Sequence, residues 1–312
     1  MEGFGVRTRW EDLPGPVHDW VAQVLGGPVV QAVSQPGGFS PGSADRVRTA
    51  AGRRAFVKAV GPHPNPDSPA LHRRESGVLR SLAAEGLDLA PALIADLDDD
   101  GWVAVLTEEV DGRHPHAPWT GAELAGTLAA LTELAHYRAP ASWPDLPGEV
   151  RAAFGCWALL RDDPPADLDP WLVPRLGELH DLSSRTLDRL AGDAVVHLDV
   201  RADNLLVEAD GRVRLVDWPW ASRGAAWFDA SSLLVDVWAV GEVDLGPHLP
   251  PVLALGATRE DVLGVVAGLG GYLLDAARRP AAPGLPTLRA FQRSRGEAAV
   301  RLLQELGGGA GS

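Results

Sequence analysis

Two short segments in the second half of the chain carry oxygen-bearing side chains that could bind a metal ion and accept a proton. The segment HLDVRADN (residues 197–204) contains Asp199 and, five residues later, Asn204, and LVDW (residues 215–218) carries Asp217 at the end of a predicted strand. Carboxylate and amide oxygens suit Mg²⁺, which usually completes its coordination with phosphate oxygens and water. Asn204 and Asp217 are therefore candidate metal ligands, and Asp199 is left to accept a proton from a substrate hydroxyl.

A candidate cation for phosphate lies in the first half of the chain. Lysine and arginine total 28, yet the only lysine is Lys58, in the predicted strand AFVKAV. A following helix carries Glu75, which could hold Lys58 by an ion pair, although a solvated helix face would also explain this glutamate. The Gly-rich turn at residues 37–43 contains Ser40 and Ser43 and could bring backbone N–H groups close to phosphate oxygens, although it also fits an ordinary hairpin.

Together these parts are the ones that phosphoryl transfer requires. A metal ion neutralises developing charge, a carboxylate orients the nucleophile and a cation binds the phosphates. His197 is predicted to be a packed, hydrogen-bonded core residue that shapes its loop rather than an acid-base group. Trp218 and Trp220 lie beside Asp217 in the sequence, and at most one of them is expected to wall the substrate site.

The elements that must position these residues change in type along the chain. Residues 29–60 alternate apolar and polar residues between Gly-rich turns, which predicts an antiparallel meander. Apolar residues at helical spacing follow in ALHRRESGVLRSLAAEG, and residues 92–112 predict a strand, an acidic turn and a strand. Thr120 and Glu123 have the spacing of a capping box. Further on, helices are expected over the segments 120–136, 172–190, 258–278 and 286–306.

These motifs, in this order, resemble the protein-kinase-like superfamily and, within it, the aminoglycoside phosphotransferase family of small-molecule kinases. HLDVRADN resembles the H-x-D-x-x-x-x-N catalytic loop, LVDW the strand that bears the metal aspartate, and AFVKAV the strand with the ATP lysine. The resemblance runs from about residue 29 to the end of the chain. It implies an α+β, bilobal kinase-like fold: a small antiparallel sheet lobe with one helix that binds nucleotide (1–110), and a larger helical catalytic and substrate lobe (111–312).

The resemblance also implies roles for individual residues. The segment LTEEVDG (106–112), called the hinge segment below, resembles the family's hinge, so the Glu108 carbonyl and the Val110 N–H are expected to meet adenine. ATP and Mg²⁺ are the implied cofactors, and Arg201 is expected to be a second cation at the transferred phosphate. The sequence departs from the family pattern at Leu198, where the small-molecule kinases usually have glycine.

Composition limits the partners. Acidic residues number 42 against 28 basic ones, which gives a net charge of −14 and argues against a nucleic-acid binder. An acidic chain favours a cationic acceptor such as an aminoglycoside, an amino sugar or an amino alcohol. A single cysteine, Cys156, and the lack of a signal-like apolar start are typical of a cytoplasmic protein. The longest nearly apolar run, residues 262–274, is too short to span a bilayer, so no membrane association is expected.

The sequence therefore predicts a phosphotransferase that moves the γ-phosphate of ATP to a hydroxyl of a small molecule. Two alternatives stay open at this point. A nucleotide-binding module without catalysis would be expected to lack at least one of Lys58, Asp199, Asn204 and Asp217, and all four are present. A protein Ser/Thr kinase would be expected to follow the metal aspartate with Phe-Gly and an A-P-E segment, and neither is found.

Overall fold

A computed structural model describes residues 7–35, 41–63, 68–241, 243–280 and 285–308. The strands are β1 (Val29–Ser34), β2 (Ser43–Thr49), β3 (Arg54–Val60), β4 (Leu93–Asp99), β5 (Trp102–Thr107), β6 (Gly112–Arg113), β7 (Ala194–Val196), β8 (Leu205–Glu208), β9 (Val213–Leu215) and β10 (Ser222–Gly224). The α-helices are α1 (Gly15–Leu25), α2 (Ser68–Ala84), α3 (Gly121–Leu134), α4 (Leu146–Phe154), α5 (Cys156–Asp162), α6 (Leu176–Leu187), α7 (Phe228–Val240), α8 (Leu249–Ala254), α9 (Arg259–Ala277) and α10 (Leu288–Gly308).

The chain divides into two compact units that are discontinuous in sequence. The first comprises Met1–His114, Asp203–Trp220 and Ala281–Leu288, and the second Pro115–Ala202, Ala221–Pro280 and Arg289–Ser312. Sheet and helix are largely segregated between the units, so the predicted α+β class is confirmed. The expected domain boundary after residue 110 stays a prediction. Within the ranges that the structure describes, no helix is both long and apolar enough to cross a bilayer.

The first unit is built on an antiparallel sheet of five strands in the order β1-β2-β3-β5-β4. Its register pairs Ala44 with Lys58 and Asp45 with Val57. Because side chains alternate along a strand, Lys58 shares one face with Ala44, and Val57 points to the other. On that other face α1 contributes to a buried cluster of Val21, Leu25, Val47, Ala55, Val57 and Leu106.

Helix α1 adds a second helix to the single one expected beside this sheet. Its apolar residues Val17, Val21 and Leu25 recur every four positions and are buried, and Gly26 ends it in the left-handed conformation at φ 70°. The expected helix of this region is α2, which buries His72, Glu75, Leu79 and Leu82 along one face and so fixes the position of Glu75.

The second unit is mainly helical. Helices appear in all four expected segments, as α3, α6, α9 and α10, while α4, α5, α7 and α8 lie outside those segments. The predicted capping box is present at the start of α3: the Thr120 side chain accepts the Glu123 N–H, and the Glu123 carboxylate accepts the Thr120 N–H. Helix α9 is central and packs against α4, α5, α6 and α7.

Candidate active site

Lys58 is bonded to two carboxylates that come from different elements of the first unit. Its ammonium donates to both oxygens of Glu75 on α2, at 2.8 and 3.0 Å, and to Oδ1 of Asp217, just after β9, at 2.7 Å. The expected ion pair between Lys58 and Glu75 is therefore present. The exposed fraction of the side chain is 18% for Lys58 and 5% for Glu75, so the pair is shielded from water, while Asp217 is open at 38%.

The charges of this group depend on one another. Burial alone would lower the pKa of Lys58, but the carboxylates of Asp217 and Glu75 outweigh it and hold that pKa above its ordinary value. Burial raises the pKa of Glu75, and Lys58 opposes that rise. Lys58 therefore keeps its positive charge. It donates its hydrogens to Glu75 and Asp217, and all three residues line one cavity.

A neutral histidine lies next to this group. His72 precedes Glu75 by one helical turn on α2, lines the same cavity, and its Nδ1 lies 3.1 Å from the Ser68 carbonyl oxygen. Burial, reinforced by the charge of Lys58, lowers the pKa of His72 to about 4. The ring therefore stays uncharged near neutral pH and adds no cation beside Lys58. Its spacing of three residues from Glu75 is the sequence signal that could have found it.

The two predicted metal ligands line this same cavity. Asn204 is 4% exposed in the short 3-10 turn Ala202–Asn204, and its backbone carbonyl accepts the Val216 N–H, which ties this turn to the residue before Asp217. Asp203 also lines the cavity and was not predicted. Within the described ranges there is no cluster of three or more His, Cys, Asp or Glu with metal-binding geometry. A metal here would need amide and phosphate oxygens beside a carboxylate, a donor set that suits Mg²⁺.

Three arginines hold the two glutamates of the hinge segment. Glu109 accepts hydrogen bonds of 2.8 and 2.7 Å from Arg54, and Arg46 lies 3.7 Å from it. The Glu108 side chain pairs with Arg214, which is buried on β9 and also donates to the Ala90 carbonyl at 2.8 Å. Nothing in the sequence around Arg214 singled it out, because Glu108 and Ala90 lie more than a hundred residues before it in the chain.

The two residues of the hinge segment that are predicted to contact adenine both line the cavity. They are Glu108 and Val110, and Val110 is 7% exposed. The Glu108 carbonyl accepts a hydrogen bond of 3.1 Å from the Thr107 hydroxyl. Among the described residues the Val110 N–H has no acceptor. The adenine contacts themselves stay a prediction.

Only part of the Gly-rich turn falls within the described residues. Ser40 lies outside them. Ser43 is 2% exposed at the start of β2 and lines the cavity. A Cβ on Gly42 would come within 2.6 Å of the Ala59 carbonyl oxygen, so this glycine is required by its close approach to β3. Packing of β2 on β3 thus explains part of the glycine pattern, in line with the hairpin alternative, and the phosphate contacts of Ser40 and Ser43 stay a prediction.

The loop with Asp199 and Arg201 belongs to the second unit. Asp199 and Arg201 form an ion pair of 3.5 Å, and the Arg201 guanidinium lies 5.4 Å from the centre of the Phe291 ring. His197 is fully buried, and its Nδ1 accepts the Asp199 N–H at 3.3 Å, as expected for a core histidine that shapes the loop. The roles of Asp199 and Arg201 in transfer stay predictions.

Two aspartate side chains of helix α7 accept hydrogen bonds from the backbone of this loop. The two carboxylate oxygens of Asp229 accept the N–H groups of His197 at 2.7 Å and Leu198 at 3.0 Å. Burial raises the pKa of Asp229 to about 7, although these two hydrogen bonds oppose the rise. About two helical turns further on, Asp236 accepts the Ala202 N–H at 3.0 Å and pairs with Arg295 of α10. Both ends of the loop are thus anchored on a buried helix.

The two tryptophans after Asp217 have different environments. Trp218 is fully buried, and its indole N–H donates to the Leu215 carbonyl at 2.8 Å, so it belongs to the core and cannot stack on a substrate. Trp220 is 41% exposed with the Arg74 guanidinium 5.8 Å from its ring centre. Of the two, only Trp220 retains the exposure that a substrate contact needs.

The chain is similar to known phosphotransferases and kinases, in line with the geometry of the site. A family model described as the phosphotransferase enzyme family matches residues 38–262. No curated protein sequence matches the chain. An aminoglycoside phosphotransferase from Alicyclobacillus acidocaldarius superposes with a TM-score of 0.63 at 18% identity, over 94% of this chain and 95% of that one. A choline kinase from Streptococcus pneumoniae gives a TM-score of 0.60 at 14% identity, over 93% and 98%.

A third solved structure carries ligands. It is an amicoumacin kinase in complex with AMP-PNP, Ca²⁺ and Ami, with a TM-score of 0.53 at 13% identity over 86% of this chain and 88% of that one. At these identities the likeness shows the fold, so the predicted kinase-like fold is confirmed.

Fold and site together define a small-molecule phosphotransferase. Because the family model covers most of its length, the chain belongs to the phosphotransferase enzyme family, as its resemblance to the aminoglycoside phosphotransferases predicted. Membership in this family favours the predicted enzyme over a binding module without catalysis and over a protein kinase.

Proposed function

We propose that this phosphotransferase moves the γ-phosphoryl group of ATP to a hydroxyl of a small cationic molecule. The observation that carries the proposal is the pair of bonds that Lys58 makes to Glu75 and Asp217 at the edge of a cavity that Asn204 also lines. A structural ion pair would need one carboxylate. The second carboxylate is more exposed and lines the same cavity as Asn204, so it is suited to a metal ion that binds phosphate.

The cavity offers separate surfaces for the two ends of a nucleotide. Its apolar part, which fits a flat base, is lined by Phe56, Val105, Leu206 and Val216. The hinge segment lines the same cavity, and its Val110 N–H has no acceptor among the described residues. Lys58 lies on the same strand as Phe56, two residues further on, and would bind phosphate oxygens. The adenine is therefore proposed to contact the hinge segment, with Lys58 on the α- and β-phosphates.

Asp217 and Asn204 are the residues that would hold Mg²⁺. They are hard oxygen donors in one cavity, and an amicoumacin kinase of the same fold was crystallised with AMP-PNP and Ca²⁺. When bound, the metal ion would neutralise charge that develops on the phosphates during transfer. Lys58 donates to Asp217 and so fixes the orientation of the carboxylate for this role.

Asp199 is proposed to accept the proton of the acceptor hydroxyl. As the hydroxyl oxygen bonds to the γ-phosphorus, the bond from that phosphorus to the bridging oxygen breaks, and ADP leaves with the electron pair. Arg201, 3.5 Å from Asp199, would orient its carboxylate and supply positive charge at the transferred group. The anchoring of this loop by Asp229 and Asp236 would keep Asp199 in place without adjustment during the reaction.

A cationic acceptor is the part of the proposal that rests on charge. The net charge of −14 attracts cations, and two proteins of the same fold are named for aminoglycosides and choline, which combine positive charge with hydroxyl groups. The buried single cysteine, Cys156, fits the expected cytoplasmic location, where thiols stay reduced.

The test is release of ADP from ATP and Mg²⁺ in the presence of hydroxyl compounds: aminoglycosides, amino sugars, choline-like alcohols, and neutral sugars as the uncharged comparison. The expected result is acceptor-dependent ADP release with one cationic class, together with a product heavier by one phosphoryl group. Nucleotide binding without turnover on any acceptor would overturn the proposed transfer, and turnover confined to the neutral sugars would overturn the proposed charge of the acceptor.

A further inference from the structure

We propose that Arg7 is a further phosphate-binding cation of the nucleotide site, besides Lys58 and Arg201, and that it is supplied by the N-terminal segment that precedes the family-matched region. The inference rests on the proposed function, because it assumes that the cavity around Lys58 binds ATP. The family match begins at residue 38, so Arg7 lies outside the part of the chain that it describes.

The position of Arg7 is the first support. Arg7 lines the same cavity as Lys58, Asn204 and Asp217, although it is separated from them in sequence. The residue after it is tied down: the N–H and the hydroxyl of Thr8 both donate to the Pro41 carbonyl, at 3.0 and 3.2 Å. The N-terminal segment is therefore bonded to the residue that precedes Gly42 and β2, and this bond keeps Arg7 at the cavity.

The segment beyond Thr8 is anchored as well. A 3-10 turn over Trp10–Asp12 leads to Leu13, which is 5% exposed in a buried cluster with Val17, Ala59 and Ala104. The His18 ring lies 2.8 Å from the Trp10 carbonyl oxygen. Because the residues that follow Arg7 are packed on the sheet, the fold determines the position of Arg7.

The charge of the cavity is the second support. Among the described residues, the arginine and lysine side chains that line it are Arg7, Arg46 and Lys58, against the carboxylates of Glu75, Glu108, Glu109, Asp203 and Asp217. Lys58 already donates to Glu75 and Asp217, and Arg46 lies 3.7 Å from Glu109. A triphosphate brings about four further negative charges, so a cavity with this lining needs a cation besides the metal ion and Lys58.

The surroundings of Arg7 place it at the metal-bound end of the triphosphate. The carboxylates that act on it are Asp217, Asp45 and Asp203, in decreasing strength, and burial is the larger influence and lowers its pKa. Asp217 is a proposed metal ligand, so oxygens of the β- and γ-phosphates would lie near the guanidinium. A planar guanidinium can donate two parallel hydrogen bonds to a phosphate, which Lys58 cannot do.

The experiment compares nucleotide affinities by titration calorimetry for the wild type, Arg7→Ala and Arg9→Ala. Arg9 is the matched control, because it lies two residues further on in the same segment, is exposed and does not line the cavity. ATP with Mg²⁺ and AMP are the two probes. Arg7→Ala is expected to weaken ATP binding by about tenfold or more and to leave AMP binding within about twofold of wild type, while Arg9→Ala changes neither.

Three results would overturn the inference. ATP binding by Arg7→Ala that matches Arg9→Ala would show that Arg7 does not touch phosphate. Equal losses for ATP and AMP would show that Arg7 shapes the cavity rather than binding the phosphates. A wild type that binds no ATP would overturn the proposed function and this inference with it. Where the alanine variant is unstable to heat, Arg7→Gln keeps the length of the side chain without its charge, and the same selective loss is expected.

Discussion

At the scale of single residues, Lys58 makes three hydrogen bonds of 2.7 to 3.0 Å from one ammonium to two carboxylates. A guanidinium is larger and planar, and it cannot direct its hydrogens at both carboxylates from the same point. Lys58→Arg is therefore expected to lower turnover by about tenfold to a hundredfold although the charge is kept.

The control for Lys58→Arg is the reverse exchange at an exposed site, Arg73→Lys, which touches Asp98 on the surface of the first unit. Steady-state rates of both variants check the prediction. A Lys58→Arg enzyme as fast as Arg73→Lys would mean that any cation serves at this position.

Leu198 shows why the family prefers a glycine after the histidine of this loop. Its φ is 70°, in the left-handed region that costs an L-residue about 1 to 2 kcal/mol. Leu198→Gly and Leu198→Ala remove the same side chain apart from one methyl group, so their difference isolates the backbone. The glycine variant is expected to be more stable by about 1 kcal/mol, which is the reverse of the usual order. Urea unfolding measures this difference, and an alanine variant as stable as the glycine one would contradict it.

At the scale of elements, the bonds from α7 to the loop of Asp199 predict a pH dependence of stability. The folded state holds the proton of Asp229 up to a pH of about 7, whereas an unfolded aspartate loses it near pH 3.9. The stability associated with this proton is fully present below pH about 4 and is lost as the pH rises through about 7.

In Asp229→Asn, the free energy of unfolding should therefore decrease less steeply between pH about 4 and about 7 than it does in the wild type. The variant should also be less stable overall, because it removes a hydrogen-bond acceptor. The control is Asp181→Asn, an exposed aspartate on α6. Unfolding by urea at a series of pH values gives the slopes. Parallel slopes for the wild type and Asp229→Asn would show that Asp229 does not carry this proton.

A glycine of helix α9 and a glycine of helix α2 are expected to respond in opposite ways to substitution by alanine. A Cβ on Gly268 would come within 2.6 Å of the Phe154 ring on α4, whereas a Cβ on Gly77 of α2 would meet nothing within 4 Å. Gly268→Ala is expected to destabilise the protein by about 1 to 3 kcal/mol, because the helices must separate. Gly77→Ala is expected to stabilise it by about 0.5 to 1 kcal/mol through helix propensity. Thermal unfolding compares the two, and a loss for both or for neither would contradict the packing argument.

At the scale of the whole molecule, the sequence predicted those features that are local. The structure brings four of the predicted residues to one cavity: Lys58, Glu75, Asn204 and Asp217. Each lies in a short segment whose residue types and spacing predict a role in phosphoryl transfer. The capping box and the helix periodicity are local as well, which is why α3 and α9 were expected.

The features that were missed depend on contacts between distant parts of the chain. Arg7 lies near Asp217 and Arg214 pairs with Glu108, and both carboxylates are far away in the sequence. The residues around each arginine do not distinguish it from an ordinary surface arginine. The burial of Trp218 is of the same kind, because neighbouring tryptophans look alike in the sequence until the fold separates them.

The central claim, that Asp199 promotes transfer of a phosphoryl group from ATP to a small molecule, is tested most directly by phosphorylated product formed in a single turnover. Wild type and Asp199→Asn would be mixed with ATP, Mg²⁺ and the acceptor found by screening, and the product would be counted by mass spectrometry. We expect the variant to bind ATP as the wild type does and to form product at least a hundredfold more slowly, on the order of the loss of a general base. Equal rates of product formation would contradict the account.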